Sequence, residues 1–264
     1  MKWCEVELLL LIAALGATTG FLSGLLGIGG GIVMAPLLLY VPPLLGLEPL
    51  SMRTVAGLTI VQGLAACISG ALTHRRFRFV SDRLVLYMGT TIFAAAALGG
   101  AAARFVPDRL LLGVFGFLAA AAAILMLVPV RQDSDRPHVR ELDFSRSRAV
   151  ASAAGVGLLG GLVGQGGSFI LIPLMTSFVR VPTRIAIGSN LAIVLLSTTA
   201  AFIGKAITGQ IEWLLAVPLM ITVVPAAHLG GRVSHRVPVI QLRRVLAILI
   251  SAAAVRIWIS VLVP

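Results

Sequence analysis

Apolar positions in this chain come in long blocks, without the alternation of a half-buried strand or the single stripe of a surface helix. Blocks of that kind read as helices that are apolar all round. Ordinary spans are expected near residues 52–72, 84–103 and 110–128, and again near 185–203, 213–230 and 242–261. Two further apolar regions do not fit one crossing. Residues 6–42 would make a helix of about 55 Å, against a hydrocarbon core of about 30 Å.

The long regions carry their own interruption. Residues 24–39 read "GLLGIGGGIVMAPLLL", with three consecutive glycines and then Pro36. Each glycine costs a helix interior roughly 0.5–1 kcal/mol relative to alanine, so the run predicts a break between two half-helices. The break recurs in "GLVGQGGSFILIPLM" at residues 161–175, where Gly24, Gly27, Gly29, Gly30 and Pro36 match Gly161, Gly164, Gly166, Gly167 and Pro173 at a constant offset of 137. Further on the offset becomes 131: Arg53 and Gly57 match Arg184 and Gly188, and Gly99 and Gly100 match Gly230 and Gly231. The chain is therefore two copies of one unit. Each copy is a glycine-broken hairpin followed by three spans, giving ten helices arranged five plus five.

Between the copies, "RQDSDRPHVRELDFSRSR" reads as a solvated linker. The domain reading is a first transmembrane repeat over 1–130, a cytoplasmic charged linker over 131–148 and a second transmembrane repeat over 149–264.

Charge then orients the copies. The loop with Arg75, Arg76, Arg78 and Arg83 has as its second-copy equivalent a loop holding only Lys205 and Glu212. The next loop reverses the bias, with Arg104, Asp108 and Arg109 in the first copy but Arg232, Arg236, Arg243 and Arg244 in the second. Under the positive-inside rule, equivalent loops then lie on opposite sides of the membrane. The expected fold is an all-α polytopic membrane protein with two inverted-topology repeats, both termini facing outward. Such repeats are a feature of transporters that expose one central site to alternate sides.

Composition agrees: 58% of residues are hydrophobic and 12% charged, with a mean hydropathy of +1.03. The lipid bilayer is thus one partner. The net charge of +11 sits in short loops, without a basic tract interleaved with aromatics, so nucleic acid is not expected. Cys4 and Cys67 stand alone, and neither a metal site nor a cofactor is expected. The N-terminal segment faintly resembles a signal peptide, but Glu5 and Glu7 interrupt its charged end and it has a counterpart in the second copy, so it is read as retained.

A helix that starts at Gly31 or Ser168 at membrane depth presents unpaired N–H groups and a partial positive charge. Gly164, like Gly27, would end the preceding helix, and Ser168 is a good N-cap. The candidate substrate site is therefore Gly29, Gly30 and Gly31 with Gly166, Gly167 and Ser168, two tips converging on one small anion. Gln165 inside the second turn could donate to an oxyanion. Thr59, Gln62 and Ser69 form a polar stripe, with Asn190 at the position equivalent to Thr59, and either touch the ligand or only bond neighbouring helices. Gly99, Gly100, Gly230 and Gly231 are read as helix-packing residues. All ten acidic residues fall in loops or at helix ends, which argues against a cation substrate. No catalytic grouping is present, so an enzyme is not expected.

The paired motifs resemble the TauE/SafE sulfite exporter family over nearly the whole chain. The resemblance implies a bacterial inner-membrane transporter of a sulfur-containing oxyanion, such as sulfite, sulfoacetate or a related organosulfonate, with its site on the two glycine turns. The halves differ in one respect: Gln165 and Ser168 stand where the first copy has Ile28 and Gly31. The leading expectation is export; coupled uptake of the same anions and a non-catalytic subunit of a larger complex are the alternatives. Small-residue helix faces are also compatible with a homodimer.

Overall fold

The computed structural model describes residues 2–26, 31–73, 81–127, 144–165, 167–234 and 239–262. Those residues form an all-helical bundle with ten α-helices: α1 (Lys2–Leu26), α2 (Gly31–Leu44), α3 (Met52–Thr73), α4 (Asp82–Ala102), α5 (Asp108–Leu127), α6 (Arg146–Leu162), α7 (Ser168–Ser177), α8 (Thr183–Ile207), α9 (Trp213–Ser234) and α10 (Val239–Leu262). The two apolar regions too long for one span each yield two helices, α1 with α2 and α6 with α7, parted at the glycine motifs. Among the described residues five stretches are long and apolar enough to cross a membrane, Val6–Leu25 and Trp213–Val233 included.

Burial follows from a lipid-facing exterior. Leu10, Leu86, Leu98, Leu110, Phe117 and Ile221 are all more than half exposed, which water would not tolerate as a continuous surface and lipid tails do. Inside, small residues bring helices together. Gly16, Gly20 and Gly24 of α1 lie in turn against Leu219 and Thr222, Val223 and Ala226, and Ala227 of α9. Gly157 and Gly161 of α6 lie against Ile92 and Ala95, then Ala96 and Gly100 of α4. In both seams residue numbers rise together, so the paired helices run in parallel. Each half's first helix thus packs on the other half's fourth. Gly99 and Gly230 also sit in these seams, against Leu158 and Phe21, as their reading as packing residues expects.

One end of the bundle gathers five elements. Lys205 of α8 reaches the Leu162 carbonyl at the end of α6, and Gln210 reaches the Gly100 carbonyl near the end of α4. Thr54 in the first turn of α3 donates to Glu212, just before α9, at 3.0 Å. So α3 and α9 start at the level where α4, α6 and α8 end.

Candidate functional site

The second glycine turn is built by backbone bonds. The Gln165 N–H donates to the Gly160 carbonyl at 2.8 Å and the Gly164 N–H to Gly161 at 3.3 Å, closing α6 with a left-handed residue at Gly164 (φ 73°). Gly164 lies so close to Ala56 of α3 that a side chain there would enter the Ala56 carbonyl. Gly167 repeats the left-handed step (φ 72°) and is the residue that precedes α7, with no side-chain cap. This corrects Ser168 as the N-cap: Ser168 is the first residue of α7, because the reversal needs a positive φ that glycine adopts without steric cost. In the first half, α2 begins at Gly31, as expected. Gly27, Gly29, Gly30 and Gly166 lie outside the described residues.

Gln165 joins the halves. Its side chain is 3% exposed, and its Nε2 donates to the Gly31 carbonyl at 3.0 Å. A side chain on Gly31 would occupy the space of that amide, so the bare glycine is what lets the second turn reach the first residue of α2. The donor expected to face a ligand is spent on the opposite turn, while the Gln165 Oε1 is buried without a partner.

The polar stripe is wholly internal. Thr59 donates to Ala56 of its own helix at 3.2 Å, and Gln62 donates through Nε2 to Thr19 of α1 at 2.8 Å. Ser69 donates to the Val224 carbonyl of α9. Thr59, Gln62 and Asn190 are each at most 1% exposed. Gln62 Oε1 and Asn190 Oδ1, like Gln165 Oε1, have no partner. A buried polar atom left unpaired costs about 1–3 kcal/mol, which a bound polar solute relieves.

Lys205 was expected in the loop after the span near 185–203, and the structure corrects this. The helix α8 continues to Ile207, and Lys205 is 0% exposed. Its Nζ donates to the Leu162 carbonyl at 3.2 Å and to Gln210 Oε1 at 3.4 Å. The backbone bond from Gln210 to the Lys205 carbonyl at 2.9 Å folds the loop back over the lysine. Arg53, in the first turn of α3, lies at the same end of the bundle: its neighbour Thr54 donates to Glu212, and Gly57, one helical turn on, faces the Gln210 backbone carbonyl. Helical phase was the signal that sequence reading passed over: Val194, Thr198 and Ala201, on the same face as Lys205, are all buried.

At the other end of α6 an open cleft of about 330 Å³ is lined by Phe144, Ser145, Arg148, Val179 and Arg180. Arg256 stacks over the ring of Tyr40 at 4.2 Å. The carboxylates of Glu7, Glu48, Asp82 and Glu212 are exposed and that of Asp108 half-buried. Among the described residues no cluster of metal-ligating side chains occurs.

Comparison with known proteins adds a family. The model of the family described as "Sulfite exporter TauE/SafE" matches residues 12–257. The chain is 24% identical to the probable membrane transporter protein YunE of Bacillus subtilis, covering 91% of this chain and 94% of that one. It is 27% identical to a probable membrane transporter protein of Xylella fastidiosa, over 96% of each. No solved structure matches.

Proposed function

The chain belongs to the TauE/SafE sulfite exporter family and is an integral membrane transporter, and from that premise we propose that it exports a small sulfur-containing oxyanion from the bacterial cytoplasm across the inner membrane. Sulfite, sulfoacetate or a related organosulfonate is the substrate, held between the two glycine turns. The observation that carries this reading is the bond from Gln165 Nε2 to the Gly31 carbonyl, which ties the second turn to the first residue of α2. Three buried amides, of Gln62, Gln165 and Asn190, each leave an oxygen unpartnered, and in this proposal they line the path with that junction. An amide offers both acceptor and donor, so its oxygen suits a hydrogen-bearing oxyanion such as hydrogensulfite and its N–H groups suit the bare oxygens of a sulfonate.

The halves act as inverted repeats in this proposal. In support, α3 and α9 start where α4, α6 and α8 end, so α3 opposes its counterpart α8, and α4 opposes α9. With the cytoplasm negative, anion exit gains about 2.3 kcal/mol per charge per 100 mV. A uniporter then needs no buried carboxylate, in keeping with the exposed or half-buried positions of those described.

The test is flux of sulfite and sulfoacetate in proteoliposomes under an imposed potential. Outward flux should rise with an inside-negative potential and fall, by tenfold or more per 100 mV at the limit of one full charge, when the potential is reversed. Flux driven uphill against the potential by a sodium or proton gradient would instead establish coupled uptake. No flux of either anion would overturn the reading.

A further inference from the structure

We infer that Arg53 and Lys205 form a second oxyanion site beside the second glycine turn, with Gln210 holding the lysine in position. The inference rests on the anion-transport reading above and assigns one further stop on the same path.

The argument starts from charge. Lys205 is a wholly buried cation in a helix of a membrane protein, and the described residues hold no carboxylate that pairs with it. Ionisable groups so placed are retained where an ion or substrate passes. The lysine's two acceptors are neutral oxygens at 3.2 and 3.4 Å, longer than the 2.7–2.9 Å usual for an ammonium meeting an anion. An ammonium carries three donors, so one is left over.

Arg53 repeats the pattern. Its Nη2 donates to the Val106 carbonyl at 3.2 Å, and its Nε is buried with no partner. Glu212, on the same end of the bundle, is exposed and takes its hydrogen bond from Thr54. A helix-capping role accounts for the lysine alone, since the Leu162 carbonyl is one of the free acceptors at the end of α6. It does not account for a second cation with an orphan donor on the first turn of α3, the turn that packs on the loop folded over the lysine. An oxyanion between the two satisfies both leftover donors and the charge.

The surroundings hold these groups in place. Gln210 Nε2 is fixed on the Gly100 carbonyl at 2.9 Å, which turns its Oε1 toward the lysine. Leu162 is two residues before Gly164, and Gly164 rests on Ala56, one helical turn from Arg53. An anion leaving the glycine turns therefore meets this pair within a few residues of the turn.

The experiment measures sulfite and sulfate binding by thermal stabilisation of the purified protein, alongside flux in proteoliposomes. Lys205→Met should raise the half-saturating anion concentration at least tenfold, and Arg53→Met should do the same, while Lys205→Arg stays within threefold of wild type. A half-saturating concentration within twofold of wild type in both methionine variants, with a lower melting temperature, would leave the lysine as a helix cap and overturn the site. If Lys205→Met fails to insert, Arg53→Met decides by the same criterion. A wild type that neither binds nor moves any of the oxyanions overturns the transport reading itself, and this site with it.

Discussion

At Gly164 two demands fall on one residue: a left-handed backbone with φ 73° and contact with the Ala56 carbonyl. Gly155, on the same helix, has neither; a side chain there meets nothing within 4 Å. Alanine at 164 should therefore cost about 2 kcal/mol or more, from the strained φ plus the displaced neighbour. Alanine at 155 should add about 0.5–1 kcal/mol by removing glycine from a helix interior. Thermal denaturation of the two purified variants checks the contrast, and equal melting temperatures would remove the turn's special status. Residue by residue, the sequence exposed the glycines because helix breakers in an apolar run are locally anomalous. It hid the burial of Lys205, which depends on α6 ending beside α8 and on a loop folding back, neither of which leaves a mark next to the lysine. Gln165 was legible as an amide within the turn, but its partner was not, since Gly31 lies 134 positions away along the chain.

Between elements, the dominant seams are those of α1 with α9 and α4 with α6, and both depend on glycines facing backbone. Without water there is no hydrophobic gain on bringing apolar helices together in a bilayer, so close backbone approach is the main source of attraction. Gly24 faces the Ala227 carbonyl and Gly230 faces that of Phe21. Leucine at either position would have to push two helices apart, and overpacking of this sort costs about 1–3 kcal/mol or more. Gly113 of α5, with nothing within 4 Å, should accept leucine at little cost. All three variants should insert equally, since leucine is apolar; size-exclusion profiles in detergent should show Gly24→Leu and Gly230→Leu aggregated or shifted and Gly113→Leu unchanged. Helix number was legible in the sequence because length and hydropathy set it; extent was less so, since α1 runs 25 residues as a full-length helix where a half-helix was expected, and α8 continues to Ile207. Which helices pair was not, because small residues recur on many faces and only the assembled bundle selects among them.

For the whole molecule, the two halves exchange their first helices, so neither copy forms a closed unit by itself. The repeat was legible as matched glycines and arginines at offsets of 137 and 131. Its sense in the membrane was argued from loop charge, and helix direction now supplies an independent argument. The loop between α4 and α5 and the loop between α8 and α9 sit at one end of the bundle, where Arg53 of α3 donates to Val106 and Gln210 donates to Gly100. In parallel repeats these two loops would face opposite sides, because they are not equivalent positions and an even number of spans would separate the copies. In inverted repeats they share the outer side, opposite the charged linker. Single cysteines at Asp108 and Gly209, in a background lacking Cys4, should therefore both react with a membrane-impermeant maleimide in intact cells. A cysteine at Ser134 in the linker should react only after permeabilisation. Labelling of Asp108→Cys and Gly209→Cys from opposite sides would refute the inverted arrangement and, with it, the idea that one central site is offered to each side in turn.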